Sequence, residues 1–505
     1  MMTDVVQRFL LTRVFSYLED AAVRGEGLAQ RVRLAEFAAA FAKFSGCGGL
    51  VSPRLERLLL AEAAALDGGN DIVPVDSGAV LMVMSEALFF GGHTRVVERW
   101  IEGDASRRYS LLLTRQDISD VPERLAAAIR KSGGVMLSVA DGEIGDRALC
   151  LRRLSAGYGA VVLFTHWDDA LPMLAYGRED FPRPVGLFNH ADHVFWLGVS
   201  VADAIGELRH WGKRLSEGCR GSAVSRVLTI PGDAKPLARR ERAAVRASLG
   251  VRPESRLVVA AGAAYKFRPV SGLSFADVVA RLLCREPTAE FAVIGAGPDD
   301  FPDGSRLVRR FDGRLRLFAR MPHAQMMDWL AAADVVLGSL PVPGFTVMAD
   351  ALSCGRPVLM CETAGGLMDW MTGSPALCGS VDELIDRTCR LLHDPDESER
   401  VWRETWCRLQ DDDSMAAFRW RINGFFAALA ESGHRLHAIG SVRPLSARFA
   451  HFLMQTGTQW LDTMTENRCL GLFGKWQLPN VILRCRQKPW LTPCLLLRWT
   501  FHGCR

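Results

Sequence analysis

Two hydrophobic rhythms alternate along most of this chain. Short unbroken apolar runs at residues 79–84, 110–114, 135–139, 159–165 and 184–189 read as buried strands. Between them, at 95–101, 121–131, 145–155 and 167–176, apolar residues recur every three or four positions, the spacing of one helical face. A second series opens near Ser225. A strand is expected over 227–230, then a joint at Pro231-Gly232-Asp233, then a basic helix over 237–249. Strands follow at 256–261, 290–294, 314–318, 335–337 and 357–360, with helices at 273–284, 323–332, 346–353 and 381–392 and a helical region reaching about residue 432. Strands alternating with helices imply parallel βαβ units with right-handed crossovers. Residues 1–75 carry only the helical rhythm, as in 34–44 and 54–66, where Ala, Leu, Arg and Glu dominate. This head reads either as an acceptor-recognition or assembly domain, or as a helical cap that completes the fold.

The pattern divides the chain into a helical unit (1–75), two Rossmann-like units (76–224 and 225–445) and a tail (446–505). A length of 505 residues demands more than one core, and 49% apolar residues suits well-buried sheets. A net charge of +4 argues against nucleic acid as the main partner. Thirteen cysteines without CxxC pairs or a Cys/His cluster point to a reducing compartment and away from structural zinc. No signal peptide or bilayer-length apolar run is read, so the expected location is cytoplasmic. Residues 467–505 contain no Asp or Glu but carry Lys475, Lys488, several arginines, three tryptophans and four cysteines. That composition fits an interface segment resting peripherally on anionic membrane, a docking arm, or a tail without selected structure.

The richest chemistry lies in Leu340-Pro-Val-Pro-Gly-Phe-Thr-Val-Met-Ala-Asp350. Gly344, Phe345 and Thr346 stand at the start of a short helix, where unpaired backbone N–H groups attract anions, and Asp350 follows one turn later. A parallel α/β sheet holds the diphosphate and ribose of a nucleotide in this way. Tyr265 and Lys266 sit in a small-residue loop after a strand, where the lysine suits the charge of a departing diphosphate. Gly295 belongs to a lone Gly-Ala-Gly at a strand end, which is weak as a dinucleotide motif. In the first unit, Gly91-Gly92-His93-Thr94 is a glycine loop leading into a helix. His190, Asp192 and His193 follow another strand, with spacing that gives no recognised metal frame. One of His93, His190, Asp192 and His193 suits a general base. Asp141 and Glu143 are either cleft-mouth acids or a solvated turn.

Together these segments resemble the GT-B class of nucleotide-sugar glycosyltransferases, and the second unit resembles glycosyltransferase family 41. Tyr265-Lys266-x-x-Pro269 is similar to that family's diphosphate loop. Gly344-Phe345-Thr346 with Asp350 is similar to its Gly-His-Thr-Thr-Gly-Met-Asp segment, with Phe345 in place of the histidine and Val347 in place of the second threonine. Glu362-Thr363 resembles its Gly-Glu-Thr. The resemblance implies an α/β GT-B fold of two Rossmann-like domains facing across a cleft, with the helical head added. It implies a metal-independent hexosyl- or N-acetylhexosaminyl-transferase that needs no cofactor beyond a nucleotide-sugar co-substrate of UDP type. Lys266 and Thr346 would hold the diphosphate and Asp350 the ribose. The family-41 likeness favours inversion and a protein acceptor. Likeness to the broader group-1 enzymes favours a saccharide or lipid-linked acceptor and surface-polysaccharide assembly. A nucleotide-sugar 2-epimerase or a non-catalytic sugar-nucleotide binder would use the same layout.

Overall fold

The computed structural model describes residues 2–46, 49–68, 74–89, 92–222, 224–229, 242–270, 272–363, 371–440, 442–446, 449–450 and 452–453. The predicted apolar runs form two separate parallel sheets. The first comprises β1 (Asp76–Met84), β2 (Arg108–Leu113), β3 (Met136–Ser138), β4 (Tyr158–Phe164), β5 (Val185–Asn189), β6 (Ala204–Glu207) and β7 (Ser225–Val227), in the order β3-β2-β1-β4-β5-β6-β7. The second comprises β8 (Arg256–Ala261), β9 (Ala289–Ile294), β10 (Leu315–Phe318), β11 (Val335–Leu337), β12 (Val358–Cys361) and β13 (Leu377–Cys378), in the order β10-β9-β8-β11-β12-β13. In each sheet the order reverses beside the first strand, which opens a crevice at the carboxyl ends of the strands.

Side chains alternate across the first sheet, so each strand feeds two cores. Leu81 and Val83 of β1, with Val161 and Leu163 of β4, face three helices: α1 (Met2–Arg24), α2 (Gly27–Ser45) and α3 (Pro53–Ala65). Val80, Met82 and Met84 face the other way, toward α4 (Gly92–Gly103), whose Trp100 is fully buried. Among the described residues, buried side chains of the helical head join the core of this sheet. Leu18, Phe41, Leu55 and Leu59 lie in it, as expected of a cap that completes the fold. Two buried polar side chains pin this layer. Glu56 accepts from the Gly198 and Ser200 backbone N–H groups at 2.7 and 3.0 Å. Arg152 donates to carbonyls of Leu66 and Gly68 just past α3, and of Leu174 and Ala175 in the helix Leu171–Tyr176, at 2.8–3.0 Å. Such pairing is what makes a buried charge tolerable.

Three sequence expectations are corrected. The strand near Ser225 does not open the second sheet: Ser225–Val227 pairs in parallel with β6 and forms the edge of the first. Strand β6 itself has no counterpart in the sequence reading. The last long helix, Met415–Ser432, was expected to close the second unit, yet Phe418, Ile422, Phe425 and Leu429 pack around Trp100 and Phe188 of the first. Gly186 of β5 permits this approach, since a Cβ there would lie 2.6 Å from the Phe425 ring. Beyond that helix, Phe449, Phe452 and Leu453 join Leu50, Trp211, Leu215 and Val270 in a small buried cluster. The expected joint at Pro231-Gly232-Asp233 and the 467–505 tail, with its membrane reading, lie outside the described residues. Among the described residues no helix is long and apolar enough to cross a membrane.

Candidate functional site

A cleft of about 590 Å³ lies where the carboxyl ends of the two sheets meet. The helical layer contributes Lys43; the first lobe contributes His93, Trp167, His190 and His193; the second contributes Tyr265, Lys266, Phe345 and Thr346; and Phe452 and Leu453 close one side.

The second-lobe wall is built by two loops zipped together. After β8, a short 3-10 turn over Ala264–Phe267 is anchored by Phe267, which is fully buried against Phe275 and Phe301. This anchor turns the preceding residue, Lys266, into the cleft. The Lys266 ammonium donates to the Pro343 carbonyl at 3.2 Å, and Ser339 Oγ closes the facing loop by donating to the Val342 carbonyl at 2.7 Å. Gly344 caps the Phe345–Ser353 helix, and a Cβ there would lie 3.3 Å from Lys266 Nζ. The missing side chain thus lets the ammonium rest beside the helix start. Burial first, and the charge of Arg209 second, push the Lys266 pKa down to about 8. Burial likewise raises that of Tyr265.

Asp350 is buried one turn into the same helix. Its Oδ2 lies 2.9 Å from His323 Nε2, and its Oδ1 lies 3.9 Å from Arg95 Nη2 of the opposite lobe. Gly295 does not line the cleft. It has φ 97°, and a side chain there would overlap the Gly262 carbonyl, so its role is to let the β9 end pass close beneath the Lys266 loop. Glu362 is exposed and its N–H bonds the Cys378 carbonyl, whereas Thr363 is buried with its hydroxyl unpaired.

On the first-lobe wall, the rings of His93 and His190 stack with centroids 3.9 Å apart, and His166 lies 6.1 Å from His93. Burial, then the neighbouring imidazoles, pushes His93 down to about 3 and His190 well below the ordinary range; burial also lowers His166. All three are neutral at physiological pH. Asp192 is buried and gripped by Arg209 Nε and Nη2 at 2.9 and 2.5 Å, which holds its carboxyl well below the ordinary range despite burial. Its Oδ1 also lies 3.3 Å from His193 Nδ1, and the His193 ring is about one-third exposed in the cleft. Beneath this loop Arg220 donates to the Asp192 and Val194 carbonyls, and burial raises Glu207 to about 7. Asp141 and Glu143 are exposed and do not line the cleft, as in a solvated turn.

The structure therefore lines one cleft with His93, His190, His193, Tyr265, Lys266, Phe345 and Thr346, with Gly344 beside Lys266, Asp350 one turn behind Thr346 and Asp192 behind His193. Sequence reasoning missed Lys43, Arg95, His166, Trp167, Arg209 and His323. The ammonium of Lys43 lies over the Trp167 ring, which no local pattern announces. Among the described residues no group of three His, Cys, Asp or Glu side chains is placed to hold a metal ion.

No protein-family model and no curated protein matches the chain. Solved structures do match in fold. An O-GlcNAc transferase mutant from Thermobaculum terrenum aligns over 79% of this chain and 78% of its own, at 19% identity and TM-score 0.50. Anabaena HepE, solved in complex with UDP and glucose, aligns over 69% and 99%, at 14% identity and TM-score 0.53. A sucrose-phosphate synthase from Thermosynechococcus elongatus aligns over 70% and 99%, at 14% identity and TM-score 0.51. With its two facing parallel-sheet lobes, the chain has the GT-B fold.

Proposed function

We propose that this chain is a glycosyltransferase that moves a hexosyl or N-acetylhexosaminyl group from a UDP-type donor to a protein or saccharide acceptor. The observation that carries the reading is the convergence of Lys266, Phe345 and Thr346 on one cleft, opposite histidines of the other lobe, with Asp350 one turn behind Thr346 on the same helix. Two of the matched proteins bear on the donor: one is named an O-GlcNAc transferase and one is complexed with UDP and glucose. The family-41 likeness of the second lobe favours transfer with inversion.

In this mechanism the diphosphate lies at the start of the Phe345–Ser353 helix, where backbone N–H groups point outward. Lys266 meets the negative charge that grows as the bond between the anomeric carbon and the phosphate oxygen breaks. Asp350 accepts hydrogen bonds from the ribose hydroxyls. His193 takes the acceptor proton, its ring oriented by Asp192 as a base is oriented by a third group. Asp192 is not the base, because Arg209 occupies its carboxylate. His93 and His190, with strongly depressed basicity, serve better as neutral hydrogen-bonding partners for acceptor hydroxyls.

The depressed lysine gives a pH signature. A protonated Lys266 attracts the diphosphate and a neutral one does not, so UDP affinity is expected to fall as pH rises through about 8, by up to about ten-fold per pH unit above it. Calorimetric titration between pH 6.5 and 9.5 checks this, and Lys266→Arg should flatten the curve. The function itself is tested by screening UDP-sugars for binding and slow hydrolysis, followed by mass spectrometry of co-expressed acceptors. Epimerised sugar from donor alone would instead indicate a 2-epimerase, and binding without any turnover a sensor.

A further inference from the structure

The starts of two helices, one from each lobe, lie close together across the cleft. A Cβ added to Gly92, the first residue of α4, would lie 3.8 Å from Thr346 Cγ2 at the start of the Phe345–Ser353 helix. One turn further along each helix stand Arg95 and Asp350, on the same faces as Gly92 and Thr346. Arg95 Nη2 lies 3.9 Å from Asp350 Oδ1, and Arg95 Nη1 lies 2.9 Å from His323 Nε2. The helices thus present their matching positions to each other across the cleft: glycine to threonine, then arginine to carboxylate.

We propose that Arg95 is a donor-binding residue supplied by the first lobe, placed to contact the diphosphate of a nucleotide whose ribose is held by Asp350. The inference rests on the donor reading given above and adds a cation to it. A nucleotide lying from Thr346 to Asp350 has its other side toward the Gly92–Arg95 edge, because Gly92 and Thr346 line the same cleft and Arg95 stands 3.9 Å from Asp350. Its diphosphate adds negative charge beside the Asp350 carboxylate, and Lys266 alone balances it poorly because its own proton is weakly held. Arg95 is the cation nearest Asp350 from the other lobe, and 26% of its side chain is exposed, so it can swing from carboxylate to phosphate while Asp350 keeps its contact with His323. A planar guanidinium with five donors suits bidentate binding of phosphate oxygens.

The test compares UDP and uridine binding by calorimetry for the full chain and its Arg95→Gln, Arg95→Lys and Lys266→Ala variants, with melting curves to establish folding. Arg95→Gln should weaken UDP by about ten-fold or more while leaving uridine within about two-fold, and Arg95→Lys should restore part of the loss. UDP binding unchanged in Arg95→Gln, with Lys266→Ala weakened, would overturn the proposal and leave the donor site standing. Tighter UDP binding in Arg95→Gln would also overturn it, since Arg95 would then compete with ribose for Asp350. If the native chain bound neither UDP nor uridine, the donor reading itself would fall and this inference with it.

Discussion

Replacing Lys266 with alanine is expected to lower turnover with the preferred UDP-sugar by about ten- to a thousand-fold, with a smaller loss of UDP affinity. The asymmetry follows from where charge develops. The intact donor already carries its diphosphate charge, but part of that charge grows only as the sugar departs, so a cation beside the bridging oxygen acts most in the transition state. Lys266 suits the task because its ammonium is anchored by one carbonyl, that of Pro343, and packs beside Gly344 at the helix start. A low folded-state pKa also means that the developing anion strengthens its hold on the proton during the reaction. Steady-state kinetics separate the outcomes. An equal fall in kcat and kcat/KM supports the leaving-group role, a rise in KM alone makes Lys266 an ordinary binding contact, and unchanged kinetics removes it from the site.

Why these parts were legible, and others not, is itself physical. Strands β1, β2, β4, β5, β8 and β9 are buried on both faces, which forces nearly unbroken apolar runs and makes them visible. Strand β6 is equally buried but carries Gly206 and Glu207, whose carboxylate is satisfied by Asn189 and Ser225, so its apolar run is broken where the fold supplies a partner. The spacing of Phe418, Ile422, Phe425 and Leu429 declares a helix with one apolar face, but nothing in that spacing says which lobe it covers. The same holds for β7, since a short parallel strand carries no mark of the sheet it joins. In the site, the Gly344–Asp350 segment was readable because turn, helix start and acid are contiguous. Arg95, His166, Arg209 and His323 were not, because each acquires meaning only from a residue far away in sequence: His166 from His93, His323 from Asp350, Arg209 from Asp192, Arg95 from both His323 and Asp350.

Gly295 supplies the second large effect, and it comes from a residue that touches no ligand. Its backbone lies at φ 97°, where a side chain costs about 1–2 kcal/mol, and the added methyl would overlap the Gly262 carbonyl. That carbonyl cannot retreat easily, because the Gly262 N–H is held by the Ile294 carbonyl at 2.9 Å and the Gly295 N–H by that of Phe318 at 2.9 Å. Gly295→Ala is therefore expected to destabilise the second lobe by about 2–5 kcal/mol, lowering its melting temperature by roughly 5–15 °C. What relaxes will be the 262–267 loop, and Lys266 rides on it, so UDP binding should weaken by at least about ten-fold even well below the melting temperature. Gly297 provides the internal control. It stands two residues later in the same Gly-Ala-Gly, and a Cβ there would meet nothing closer than Ala319 at 3.8 Å. Gly297→Ala should leave both stability and UDP affinity near those of the native chain. Equal behaviour of the two variants would mean that the loop is not seated on Gly295, and that the placement of Lys266 depends on the Phe267 anchor alone.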